Sequence, residues 1–161
     1  MRPSRRLPAG PAGPAGRAAL VALAALVVAA VVAVAACSSA AAAPTIAQAW
    51  ARLAPAGGNS AAYLTITAAT GQADTLLSAS SPAADMVQLH EVSTDASGMT
   101  GMHQIERLEI PAGATVTLEP GGHHLMIMGV KSELVVGATI ELDLVFEHAG
   151  KVVVQAEIKQ A

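Results

Sequence analysis

Period-two alternation of apolar residues near the C-terminus leaves this chain little freedom of fold. Ile140, Leu142, Leu144 and Phe146 alternate with Glu141, Asp143, Val145 and Glu147, and Val152, Val154, Ala156 and Ile158 with Val153, Gln155, Glu157 and Lys159. On extended backbone, successive side chains point to opposite faces, so each segment puts its apolar set on one side. His148-Ala149-Gly150-Lys151 between them reads as a hairpin turn with Gly at the bend. The same texture reaches back to about residue 45. Candidate strands are Ile46–Leu53, Ala61–Thr67, Thr75–Ser80, Met86–Val92, Met102–Leu108, Thr115–Leu118, His123–Gly129, Thr139–Glu147 and Val152–Lys159. Gly57-Gly58, Pro111-Ala112-Gly113 and Pro120-Gly121-Gly122 punctuate them. Alanine favours helix by propensity, but turns this closely spaced outweigh it. The expectation is one all-β sandwich over residues 45–161, with no internal repeat.

The chain before it has another purpose. Met1 to Arg17 is basic and rich in Pro and Gly, and Ala18 to Ala36 is an unbroken run of Ala, Val and Leu. At about 1.5 Å per residue, a helix of that run nearly spans a bilayer. Residues 1–36 therefore read as an N-terminal apolar signal helix for export. Val34-Ala35-Ala36-Cys37 resembles the bacterial lipoprotein processing signal, in which the cysteine is lipidated and becomes the first residue. Cys37 is the single cysteine, so no intramolecular disulfide can form. The alternative is an uncleaved anchor ending in an ordinary Cys. Residues 37–44 read as a flexible tether. On either reading the domain works outside the cytoplasm, at the outer face of the cytoplasmic membrane.

Charge narrows the partners. The net charge is −3, yet Arg2, Arg5, Arg6 and Arg17 all precede the apolar run. The remainder carries five basic against twelve acidic residues, a balance of −7. An acidic domain with only Trp50, Tyr63 and Phe146 as aromatics offers neither a basic face nor stacking platforms for nucleic acid. There is no Gly-x-Ser-x-Gly elbow, His-Glu-x-x-His, phosphate loop or dinucleotide fingerprint, so nothing in the sequence points to an enzyme.

The chemistry concentrates in Gly121-Gly122-His123-His124-Leu125-Met126-Ile127-Met128-Gly129. On a strand, His124, Met126 and Met128 share one face, and His123, Leu125 and Ile127 share the other. Imidazole nitrogen beside thioether sulfur suits a soft ion such as Cu(I) better than zinc, magnesium or calcium. The competing reading is that the methionines fill the core, their commonest use. His90, His103 and His148 complete the histidines, and Met86, Met99 and Met102 the methionines of the domain.

Eleven residues separate His90 from Met102, twenty-one separate Met102 from His124, and one separates His124 from Met126. This constellation, with its Gly-Gly-x-His-x-Met core, resembles the periplasmic copper chaperones of the PCu(A)C type. Their first interval is one residue shorter, which places an insertion in the loop Ser93–Thr100, where length costs little. Ala49-Trp50-Ala51-Arg52, Ala62-Tyr63-Leu64, Val87-Gln88-Leu89-His90-Glu91, Ile110-Pro111-Ala112-Gly113 and Phe146-Glu147-His148-Ala149-Gly150 also resemble segments of that family. The likeness covers about residues 44 to 159. It departs at His123, where the family commonly has Tyr, and at His103, where it has a basic residue. These extra histidines leave open a second, harder metal site or an altered ligand set.

The resemblance implies a cupredoxin-like Greek-key sandwich or barrel of eight or nine short strands. It implies one Cu(I) held by His90, Met102, His124 and Met126. Met99 is a substitute for Met102 if the loop is shifted, and His123 stays undecided. Met128 shares a face with Met126 and is a candidate additional ligand, though the core or its rim is the expected place for it, and His103 and His148 are expected in solvent. Glu91 and Asp85 are candidates to orient the His90 imidazole. The absence of a Cys ligand separates such a site from blue copper. The implied task is delivery of Cu(I) to the copper A centre in the copper subunit of cytochrome c oxidase, beside a Sco-type thioredoxin-like partner. Cell-surface copper sequestration or uptake without an oxidase client needs the same site and is the alternative. A structural lipoprotein with a Met-rich core is a third reading.

Overall fold

The computed structural model describes residues 42–160. The expected signal helix, Cys37 and the first part of the tether lie outside them. Ten strands follow one another: β1 (Thr45–Arg52), β2 (Ser60–Thr67), β3 (Asp74–Ser80), β4 (Ala84–Thr94), β5 (Thr100–Gln104), β6 (Leu108–Ile110), β7 (Thr115–Leu118), β8 (His124–Val130), β9 (Thr139–Phe146) and β10 (Gly150–Lys159). Among the described residues there is no helix.

Seven of the strands close on themselves in the order β4-β8-β2-β1-β10-β9-β3, with Ala79 of β3 meeting Val87 of β4 to complete the barrel. All pairs are antiparallel except β1 with β10. The expected all-β, cupredoxin-like architecture is therefore what the chain adopts. Closure removes the free edges that an open sheet would expose. The three remaining short strands share edges with longer neighbours. β2 pairs with β8 through Ser60–Ala62 and with β7 through Leu64–Thr67. β4 meets β3 at Val87 and β5 from His90 onward.

The alternation read in the sequence sets the interior. Ile140, Leu142, Leu144 and Phe146 are all buried, as are Ala156 opposite Ile140 and Ile158 beside Ala51. The core is aliphatic apart from Phe146, and each buried Leu- or Ile-sized side chain contributes about 1.5–3 kcal/mol through removal from water.

Three expectations need correction. Met102–Leu108 is not one strand. The chain leaves β4 at Ile105, whose N–H donates to the Leu89 carbonyl, and re-enters the sheet as β6 against β3. A strand that changes neighbours must break its ladder, and that is invisible to alternation. The hairpin turn comprises Glu147–Ala149 rather than His148–Lys151; Gly150, at φ 71°, already pairs with Phe146. The loop expected at Ser93–Thr100 is shorter, because Ser93 pairs with Gly101 and Thr94 with Thr100. The Asp95 carboxylate holds what remains, accepting from the backbone N–H groups of Ser97 and Met99 and the Ser97 hydroxyl.

One local irregularity positions side chains for the site. In β1 the register with β2 shifts between Ala47 and Trp50, and Gln48 sits at φ 53°. The extra residue of such a bulge reverses which side chains face out. Ala51 thereby enters the core opposite Ala62, and Trp50 turns outward opposite Tyr63.

Candidate metal centre

The centre is built on β4 and β8, which run antiparallel in unbroken register. Met86 stands opposite Met128, Gln88 opposite Met126 and His90 opposite His124. The intervening Val87, Leu89, Leu125 and Ile127 are buried in the core, so these three pairs face outward. The expected division of the Gly121–Gly129 stretch holds from His124 onward. Met128 is at the rim, half-buried.

β5 supplies the next donor. Its pairing with β4 puts Met102 opposite Val92 and Gln104 opposite His90, on the same face. Met102 is 59% exposed. Met102, His124 and Met126 line one cleft of about 350 Å³, together with Val92, Tyr63, Arg52, Asn59 and Pro120. His90 is not among the residues lining the cleft, but its ring centroid is 5.7 Å from that of His124. The structure thus brings His90, Met102, His124 and Met126 to one face of three adjoining strands.

Hydrogen bonds fix the state of both imidazoles. His124 Nδ1 lies 3.1 Å from the Gly122 carbonyl oxygen. A carbonyl can only accept, so Nδ1 carries the hydrogen and Nε2 keeps its lone pair. His90 Nε2 lies 3.1 Å from Gln88 Oε1 and donates to it. His90 Nδ1 therefore holds a lone pair, enclosed and without a hydrogen-bond partner among the described residues. Leaving a buried acceptor unmade costs free energy that a bound cation would recover. Burial, and then the neighbouring His124, hold the His90 imidazole below its usual pKa, so it stays neutral and able to donate its lone pair. These residues fit a soft monovalent metal: two neutral imidazoles and two neutral thioethers, with no carboxylate among them.

An aromatic wall backs the centre. Trp50 and Tyr63 lie with ring centroids 4.5 Å apart, and Tyr63 is 6.4 Å from His124. The Arg52 guanidinium sits 5.8 Å from the Tyr63 ring centroid.

The other candidates go elsewhere. Met99 is 70% exposed at the β4–β5 turn and does not line the cleft. His103 is exposed opposite Glu91. His123 is half-buried just before β8, with Nδ1 enclosed and unpartnered among the described residues. Among those residues no three His, Cys, Asp or Glu side chains come together, so His103 and His123 do not assemble a harder metal cluster. His148 is exposed beside Asp74 at the β9–β10 hairpin. Glu91 and Asp85 do not orient His90; Gln88 does. Gln88 escaped the sequence reading, although its place two residues before His90 on a strand puts both on one face. The Gly122 carbonyl and the Tyr63–Arg52 side of the cleft were also missed, because they depend on neighbours that only the fold supplies.

The closed barrel with this donor face has the architecture of the PCuAC domains. Residues 44–158 match the family described as "Putative lipoprotein LpqE-like", and the chain belongs to that family. "Putative lipoprotein Lxx21020" of Leifsonia xyli subsp. xyli is 33% identical over 114 residues, which are 71% of this chain and 68% of the relative. Among solved structures, the copper-bound PCuAC domain from PmoF2 is 27% identical with a TM-score of 0.61, covering 76% of this chain and 97% of its own. The Cu(I) form of DR1885 from Deinococcus radiodurans is 33% identical with a TM-score of 0.56, covering 78% of this chain and 86% of its own.

Proposed function

We propose that this protein is an extracytoplasmic carrier of Cu(I), holding one ion at His90, Met102, His124 and Met126 and delivering it to the copper A centre of cytochrome c oxidase. The observation that carries the reading is the pair of pre-set imidazoles beside two thioethers on an open face, with an unpartnered His90 Nδ1. Likeness to copper-bound PCuAC domains supports the choice of metal. A carrier must release its cargo, and an exposed Met102 on the edge strand β5 gives an acceptor a donor to displace. Delivery runs by ligand exchange into the oxidase copper subunit, with a Sco-type thioredoxin-like protein as a second participant. Membership of a lipoprotein family supports lipidation at Cys37, and with it attachment to the outer face of the membrane. More than one acyl chain is needed for stable attachment.

A deletion strain tests the client. Loss of oxidase activity that added copper restores supports delivery. Normal oxidase with heightened copper sensitivity makes the protein a sequestering factor. Intact mass tests the anchor: an unmodified thiol at Cys37 removes it.

A further inference from the structure

The donor face does not end at Met126. One step further along the same strands Met86 stands directly opposite Met128. Side chains opposed across an antiparallel pair have Cβ atoms about 4.5–5.5 Å apart, close enough for two long thioethers to converge on one ion. Neither methionine is spent on the core. Met86 is 51% exposed and Met128 half-buried, while Val87 and Ile127 fill the interior at that level. Between this pair and the histidines lie Gln88 and Met126. Gln88 is engaged with His90, which leaves Met126 as the soft donor linking the two levels.

We propose that Met86 and Met128 form a second, weaker site for a soft monovalent d10 cation, Cu(I) by choice, which exchanges with the first site through Met126. The inference rests on the reading of His90, Met102, His124 and Met126 as the first site. With two thioethers and no imidazole, the second site holds its ion less firmly and favours soft cations over zinc. Passage between the sites is ligand exchange alone. One thioether leaves the metal as another binds, and the ion remains Cu(I) with no electron or proton transferred. The face then works as a short track that lets copper enter or leave without bare release into water.

The test uses the full chain in detergent, carbon-13 labelled at its methionine methyl groups, titrated with Ag(I) as a soft probe free of redox chemistry. The first equivalent is expected to shift Met102 and Met126, and the second Met86 and Met128. The double substitution Met86→Leu with Met128→Leu conserves volume. It should weaken the second equivalent more than about tenfold and change the first less than about twofold, as separate sites require. Met86 and Met128 resonances unmoved through two equivalents, or a second equivalent that survives the double substitution, would overturn the proposal. Shifts at Met86 and Met128 with none at Met102 and Met126 would uphold this site and instead sink the first.

Discussion

Two regions of the barrel bury polar groups, and they do so to opposite purpose. At the β9–β10 hairpin, Asp74 has a partner for each carboxylate oxygen. Oδ1 accepts from the N–H groups of Thr75 and His148 at 2.8 and 3.0 Å, and Oδ2 from that of Ala149 at 3.0 Å. Burial pushes this carboxyl up, but the backbone donors and His148 outweigh it and hold the group below the usual carboxylate range. On the β4–β8 face, His90 Nδ1 has no partner among the described residues, His124 spends only Nδ1 on the Gly122 carbonyl, and Met102 projects into solvent. A polar group with its partners made serves the fold. Soft donors held ready without partners contribute little to folding, and that is the mark of a site kept for a ligand.

The sharpest separation comes from the hairpin. Phe146 fills the core beneath it, so Phe146→Ala should cost about 3–5 kcal/mol in a denaturant melt of the metal-free chain. Asp74→Ala strands three backbone donors and should cost about 2–3 kcal/mol. Copper affinity of the folded fraction should stay unchanged for both, measured by competition against a Cu(I) chelator. A copper defect at either residue would end the division between the two regions.

The two regions also differed in how plainly the sequence announced them. The hairpin strands were legible because Ile140 to Phe146 and Val152 to Ile158 alternate without a break, and alternation directly encodes a buried face. The donors were legible as a set through residue type and interval. Two things were not. Gln88 and the Gly122 carbonyl act through hydrogen bonds, which depend on rotamers and on where a neighbouring loop passes. Likewise Trp50 turns outward onto Tyr63 because of the bulge at Gln48, and no local pattern signals a bulge at a Gln. The break of Met102–Leu108 belongs with these, since only a change of partner strand explains it.

Acid should resolve the two regions one after the other in the metal-free chain. His90 has its pKa lowered from 6.5, so below that pH the unfolded chain binds a proton the folded chain refuses. Stability should therefore fall with pH from about 6.5 down to the lowered folded value and then level off. Asp74 has its pKa lowered from 3.8, so its contribution is complete above that value and is lost as pH falls through the folded one. Two separate steps are expected in stability against pH. His90→Gln should delete the upper and Asp74→Asn the lower. A single step removed by neither substitution would contradict the assignment.

The smallest effect on folding should accompany the plainest effect on copper. Met102 is 59% exposed on the edge strand β5, so truncating it removes almost no buried surface. Met102→Ala in the metal-free chain should cost only about 0.5 kcal/mol, the scale of an ordinary surface change. Met126, half-buried in the same cleft, should cost somewhat more yet remain below the Leu-to-Ala range of about 2–5 kcal/mol. Either substitution removes one of two soft donors, so Cu(I) affinity should collapse while Zn(II), already weak, hardly changes. Gln88→Ala provides the intermediate case. It leaves all four donors in place but frees the His90 ring, and losing such a support typically weakens metal binding by about 10–100-fold. Melts of the metal-free variants paired with Cu(I) competition give both coordinates for each residue. If Met126→Ala destabilised the fold like Phe146→Ala and left copper binding intact, the donor face would be core after all. The contrast between the hairpin and the donor face would then vanish.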